Sequence, residues 1–292
     1  MKVIVAENCG FCPGVKNAIS MAEKVLTQHR KVSCGKKNVY SLGPIIHNSD
    51  VVQRLAEAGL KTVDSVKQIP PLPSGGTVLI RSHGAAPKQI DELKEKGINI
   101  VDATCVLVKR VQRIARQLDK GGYKVVVIGD ENHPEVQAVV GSASGVVVLA
   151  DESDLHNLPL NGKLGIVCQT TQSQEHFSRM LGAIGRYGFS ELKVINTLCR
   201  EAIKRQESAV QLCKQVDIMF VLGGLESANT CRLAELCKKY NSQTFHLQNW
   251  SEFDRSILFG KRTALPQVVG VTAGASTPEW IIAEFVENLA KI

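Results

Sequence analysis

The stretch GINIVDATCVLVKRVQRIARQLDK, residues Gly97 to Lys120, reads as a short apolar strand, a cysteine and an amphipathic helix in immediate succession. Ile98, Ile100 and Val101 precede Cys105. Leu107, Val111, Ile114 and Leu118 follow it at helical spacing, with Lys109, Arg110, Arg113 and Arg116 filling the other face. A thiol at the first turn of a helix meets unsatisfied amides and the positive end of the helix dipole, both of which favour the thiolate. Taken alone, a cysteine at a strand end reads more readily as a small core residue. Recurrence of the pattern decides between the two.

The pattern recurs twice. MKVIVAENCGFCPGVKNAISMAEKVL places a strand at Val3 to Val5, then Cys12, then a helix with Val15, Ile19, Ala22 and Leu26 on one face. ELKVINTLCREAIKRQESAVQLC places a strand at Leu192 to Ile195, then Cys199, then Ile203, Gln206, Val210 and Cys213 at helical spacing. The three cysteines stand 93 and 94 residues apart. Such regularity predicts three similar domains of about ninety residues, 1–104, 105–197 and 198–292. Asp102 and Asn196, each three residues before its cysteine, are expected to cap the following helices.

Between these units lie further apolar runs, each ending in a polar loop that opens a helix. His47 and Asn48, Ser82 and His83, His133 and Glu135, Gln169 to Thr171, Ser227 and Asn229, and Ser276 all occupy such loops, and Pro278 suits a first helical position. Strand followed by helix throughout predicts an α/β class with mainly parallel sheets, in which ligands gather beyond the carboxyl ends of the strands. The proline-bearing segment Val66 to Gly76 is expected to be a surface loop.

The composition is that of a globular protein, 44% hydrophobic and 22% charged, with a formal net charge of +7. No run of five basic residues suggests a nucleic-acid groove, and a small anionic ligand fits the mild charge better. Nine cysteines make an odd set in a chain without a signal-like apolar stretch, which argues for reduced thiols and a cytoplasmic location rather than a disulfide framework. No stretch approaches the length of a membrane span. The familiar nucleotide fingerprints, G-x-x-x-x-G-K-[ST] and G-x-G-x-x-G, are absent.

Three cysteines at equivalent repeat positions converge only near a pseudo-threefold axis. Three thiolates there suit a zinc with one open position or a cubane iron–sulfur cluster with one iron lacking a thiolate. Cys9-x-x-Cys12 is a lone pair without a matching second pair, so Cys9 stays undecided, and Cys34, Cys168, Cys213, Cys231 and Cys237 are expected to be packing or surface thiols. His47, His83 and His133, with the hydroxyl and amide loops and the helix N-termini, make a cradle suited to a diphosphate. Glu135 is the one carboxylate among these groups and the candidate proton donor, although a first-turn glutamate facing the helix dipole has the same sequence appearance.

The motifs GFCPGVKNAI, GPIIHN, RSHG, DATC, HPEV, QTT, NTLC with RQ following, SANT and GVTAGAS run in order from residue 10 to residue 276. In them the chain closely resembles the 4-hydroxy-3-methylbut-2-enyl diphosphate reductases, the LytB or IspH family. The resemblance implies three α/β domains in a cloverleaf around a central [4Fe–4S] cluster held by Cys12, Cys105 and Cys199, with one open iron. It implies that His47, His83, Ser227, Asn229 and Ser276 hold the diphosphate, and that His133, Thr170 and Glu135 form the proton-delivery side. It also implies an isoprenoid-forming reductive dehydroxylation fed by ferredoxin or flavodoxin, with no nucleic-acid or membrane partner. The chain departs from the family pattern at Val106, Ala138, Ala202 and Ala228. Those departures keep two other readings open: a paralogous cluster-dependent reductase or dehydratase for another allylic or phosphorylated substrate, and a non-enzymatic iron–sulfur or zinc sensor.

Overall fold

The computed structural model describes residues 1–32, 39–72, 76–159, 161–259 and 266–292. β1 (Lys2–Val5) leads into α1 (Pro13–Val32). Then come β2 (Val39–Leu42), α2 (Ser49–Glu57), β3 (Lys61–Val63), β4 (Thr77–Ile80), α3 (Pro87–Glu95), β5 (Asn99–Asp102) and α4 (Val106–Lys120). The middle of the chain supplies β6 (Lys124–Ile128), α5 (Pro134–Val140), β7 (Val147–Leu149), β8 (Gly162–Cys168), α6 (Gln174–Ile184), β9 (Phe189–Val194) and α7 (Arg200–Cys213). The last part supplies β10 (Ile218–Leu222), α8 (Ala228–Tyr240), β11 (Thr244–Leu247), α9 (Ser256–Phe259), β12 (Val268–Ala273) and α10 (Glu279–Ala290).

Among the described residues the strands form three four-stranded sheets, ordered β3-β2-β4-β5, β7-β6-β8-β9 and β11-β10-β12-β1. Every pairing is parallel, as the α/β reading expects. The three orders share one pattern, in which the first strand of a segment lies inside, the second at one edge, and the fourth at the other edge beyond the third. In the third sheet that fourth place is taken by β1 from the start of the chain, paired Lys2 to Val268 through Val5 to Val271. The chain divides into two compact units, one of Met1–Pro13, His47–Val51 and Arg200–Ile292, the other of Gly14–Ile46 and Val52–Cys199. The first unit holds the β11-β10-β12-β1 sheet, and the second holds the other two.

Burial follows from the apolar runs. In the first unit Phe220, Val271, Leu258 and Phe285 fill one face of the sheet, while Met219, Val221, Ala209 and Leu233 fill the other. In the second, Val125 and Val127 pack under Val111, Ile114 and Leu118 of α4, and Val78 and Ile80 pack with Tyr40 and Leu93. Burying a residue of this kind contributes about 1.5–3 kcal/mol, so these clusters supply the main favourable term for each unit. No helix among the described residues is long and apolar enough to cross a membrane.

Four local expectations change. Asp102 does not cap α4: its Oδ1 accepts the Thr104 N–H at 3.0 Å, closing a turn, and Cys105 itself stands at the cap position. Asn196 does the same, accepting from the Leu198 N–H at 3.0 Å. A short side chain two residues before its target satisfies the turn first, leaving the helix start to the cysteine. Pro278 stands one residue before α10, at the cap position and without a side-chain capping bond, rather than opening the helix. The segment after β3 carries a 3₁₀ turn at Val66–Gln68, with Val66 and Ile69 buried; its Pro73, like Cys34, lies outside the described residues.

Candidate active site

Each of the three repeat cysteines follows an edge strand and immediately precedes a helix. Each is tethered by its own backbone. The Cys12 N–H donates to the Ala275 carbonyl at 3.1 Å, Cys105 to Ser82 at 2.9 Å, and Cys199 to Thr170 at 2.9 Å. Ala275, Ser82 and Thr170 occupy the loops after β12, β4 and β8, the strands paired with β1, β5 and β9 respectively. One local geometry therefore occurs three times: an edge strand, a half-buried thiol and a helix start, pinned to the loop of the neighbouring strand.

In the second unit the loop after β6 turns into α5 at His133-Pro134-Glu135. His133 Nδ1 accepts the Glu135 N–H at 3.2 Å, so the ring proton of that tautomer sits on Nε2. The ring of His83, from the loop after β4, lies edge-on to His133 with centroids 5.2 Å apart. Glu135 is 1% exposed. Its Oε1 accepts the Thr170 N–H at 2.7 Å and its Oε2 accepts the Thr170 hydroxyl at 2.8 Å. Burial pushes the Glu135 carboxyl above its ordinary range, and the two bonds from Thr170 pull it back only in part. The same Thr170 also anchors Cys199 through its carbonyl. The Glu135 carboxyl and the Cys199 loop are thus both held by Thr170.

In the first unit, Ser227 caps α8, its Oγ accepting from the Thr230 N–H at 3.4 Å and from the Thr230 hydroxyl at 3.0 Å. The Ser276 hydroxyl donates to the His47 carbonyl at 3.0 Å and lies 3.4 Å from Ser227 Oγ. Asn48 Oδ1 caps α2 by accepting the Val51 N–H at 3.0 Å. Asn229 is buried, and its Nδ2 donor has no hydrogen-bond partner among the described residues. A buried donor without an acceptor costs about 1–3 kcal/mol, which a bound anion would recover.

Close approach of these loops depends on two glycines. A Cβ on Gly223, whose φ is +133°, would stand 2.3 Å from Thr277 Oγ1, and one on Gly274 would stand 1.9 Å from Thr230 Oγ1. Gly274→Ala is therefore expected to displace Thr230 from Ser227 and to destabilise the fold by about 1–3 kcal/mol, read as a lowered thermal midpoint. An unchanged midpoint would show that the loops yield without cost.

Arg205 received no role from the sequence beyond its place in the RQ motif. It is 5% exposed, and its guanidinium donates to the Gly10 carbonyl at 2.8 Å, two residues before Cys12. The buried stripe of α7 runs through Ala202, Arg205, Gln206, Ala209 and Leu212, with Ile203 and Val210 only half-buried. A cation inside a stripe of small residues was the available signal. Cys9 packs against the apolar cluster of the first unit, and burial raises its thiol pKa, so it behaves as a packing residue. Cys168, Cys213 and Cys237 are buried, and Cys231 donates to the Leu225 carbonyl at 2.9 Å.

The sequence profile of the LytB protein family matches residues 3–290. The chain belongs to the LytB family. A 4-hydroxy-3-methylbut-2-enyl diphosphate reductase of Citrifermentans bemidjiense is 42% identical over 293 aligned positions, covering all of this chain and 98% of the relative. One of Trichlorobacter lovleyi is 42% identical, covering 99% of its length. Among LytB structures, that of (E)-4-hydroxy-3-methyl-but-2-enyl diphosphate reductase, the terminal enzyme of the non-mevalonate pathway, superposes with a TM-score of 0.68 at 38% identity over the whole of both chains. The E-1-hydroxy-2-methyl-but-2-enyl-4-diphosphate reductase of Plasmodium falciparum gives 0.88 at 26% identity, covering 99% of this chain and 88% of the other.

Proposed function

We propose that this LytB protein is an iron–sulfur oxidoreductase that removes the allylic hydroxyl of 4-hydroxy-3-methylbut-2-enyl diphosphate, giving isopentenyl and dimethylallyl diphosphate. The observation that carries the reading is the buried Glu135 carboxyl held by both polar groups of Thr170, in a chain that aligns end to end with reductases of that name. The reaction breaks one C–O bond, consumes two electrons and two protons, and releases the oxygen as water.

The donor set fits a cluster. Cys12, Cys105 and Cys199 are soft thiol ligands of the kind iron–sulfur clusters take, each on a loop already oriented by its backbone tether. Three such ligands would leave one iron of a [4Fe–4S] cluster for the substrate. When bound, the cluster supplies electrons and a Lewis-acidic iron for the hydroxyl oxygen.

The chain's own residues do the rest. Glu135, whose burial favours the protonated form, supplies the proton that the departing oxygen needs, and Thr170 fixes the carboxyl's orientation. His133 Nε2–H, oriented by the Glu135 amide, donates on the same side. His47, His83, Ser227, Asn229 and Ser276 bind the diphosphate, with the Asn229 amide meeting the acceptor it lacks. A small electron-carrier protein feeds the reaction. We also take the three sheets with their helices as three domains, β1 counted with the last.

The test is anoxic purification, iron and sulfide analysis, and turnover of the hydroxylated diphosphate with reduced viologen. Bound iron with matching sulfide and release of both isomeric products are expected. Zinc without sulfide, or no turnover by cluster-loaded protein, would refute the proposal.

A further inference from the structure

The helix that begins at Cys105 carries a feature that substrate chemistry leaves unused. A cleft of about 500 Å³ runs along α4, with Lys109, Arg110, Arg113 and Arg116 on its wall and Ile80 and Ile90 among its apolar lining. The four cations are exposed. Lys109 is engaged by Asp102, the one carboxylate lining the cleft, at 2.7 Å. Arg110, Arg113 and Arg116 form no ion pair among the described residues, and their spacing of three places them along one side of the helix. Val106, beside Cys105, is 76% exposed in the same cleft.

We propose that this face of α4 is the docking surface for a small acidic one-electron carrier protein. The inference rests on the cluster reading above and adds where electrons enter. Exposed guanidinia on long stems around an apolar patch match a protein surface with acidic side chains rather than a small anion, which would call for buried donors. Their broad positive field steers an acidic partner and raises its association rate. The location suits electron delivery: at 1.5 Å per residue, Arg113 lies only about 12 Å along the helix from Cys105, and Val106 is next to it in the chain. Each docking event oxidises one reduced carrier and passes one electron inward, so two events supply the pair that the dehydroxylation consumes.

The test compares two donors on the cluster-loaded, full-length protein. With reduced ferredoxin, R110E/R113E/R116E is expected to lower the second-order rate at least tenfold at low ionic strength and to flatten its salt dependence, while R110K/R113K/R116K keeps the parental rate. With reduced viologen, both variants are expected to turn over within twofold of the parent. An unchanged ferredoxin rate in the glutamate variant would overturn the proposal. So would an equal loss with both donors, which would assign the face to folding or substrate. If the parent itself failed with viologen, the activity reading would be wrong. Docking would then be read from bleaching of the cluster's visible absorption by reduced ferredoxin, slowed in the glutamate variant if the surface is right and unslowed if it is not.

Discussion

Glu135→Gln is expected to lower turnover by about 10²- to 10⁴-fold, the usual contribution of a positioned acid, while leaving the protein folded. The glutamine amide fits the same niche. Its oxygen accepts the Thr170 N–H, and its NH₂ takes the place of Oε2, so the Thr170 hydroxyl turns to accept the bond it donates in the parent. What disappears is the transferable proton. The parent has its own pH signature. Because burial raises the Glu135 pKa, the acid form persists above its ordinary range, and activity is expected to fall as pH rises through the folded value.

Stability should move with it. Between the unfolded and the raised folded pKa, the native state binds more protons than the unfolded state, so the parent loses stability as pH climbs through that window. The glutamine variant carries no such group. Its thermal midpoint relative to the parent is expected to rise from acidic to alkaline pH. Measuring kcat and the thermal midpoint across pH for both proteins checks the two claims together. A variant that kept parental turnover would remove Glu135 from proton delivery, and a midpoint difference independent of pH would contradict its raised pKa.

Cys199→Ser is expected to abolish stable cluster binding and to reduce turnover by more than about 100-fold, the upper range even for loss of an outer-shell metal partner. The Cys199 amide would still donate to Thr170, because that tether involves only backbone atoms. The hydroxyl would therefore stand where the thiol stood. A hard, weakly acidic oxygen replacing a soft thiolate changes the chemistry at almost fixed geometry. Cys105→Ser should behave alike, whereas Cys231→Ser, whose thiol is engaged by the Leu225 carbonyl, should retain iron and activity. Iron and sulfide per chain after anoxic reconstitution is the decisive reading. Full loading of the Cys199 variant would exclude that residue as a ligand.

The cysteine repeat was legible because it is local. An apolar strand, a thiol and a 3.6-residue period need only neighbouring residues to be recognised: β1, β5 and the helices after the three thiols appear within a residue or two of expectation, while β9 begins earlier, at Phe189. The helix starts were less legible, since Asp102 and Asn196 had two backbone targets within reach and took the nearer one. Arg205 was hidden for a different reason: a cation on a helix reads as solvated until its carbonyl partner is known, and Gly10 lies 195 residues away.

By itself, then, the sequence determined the strand-and-helix order, the α/β class, the three thiol positions and the motifs that mark a LytB protein. These depend on periodicity and side-chain chemistry along the chain. Only the tertiary structure decided that β1 closes the sheet of the last strands, that Thr170 joins Glu135 to the Cys199 loop, and that the α4 arginines face an open cleft. Parallel pairing and loop-to-loop hydrogen bonds join residues far apart in sequence. Their partners are chosen by which edge or donor the packed core leaves available, and no local pattern records that choice.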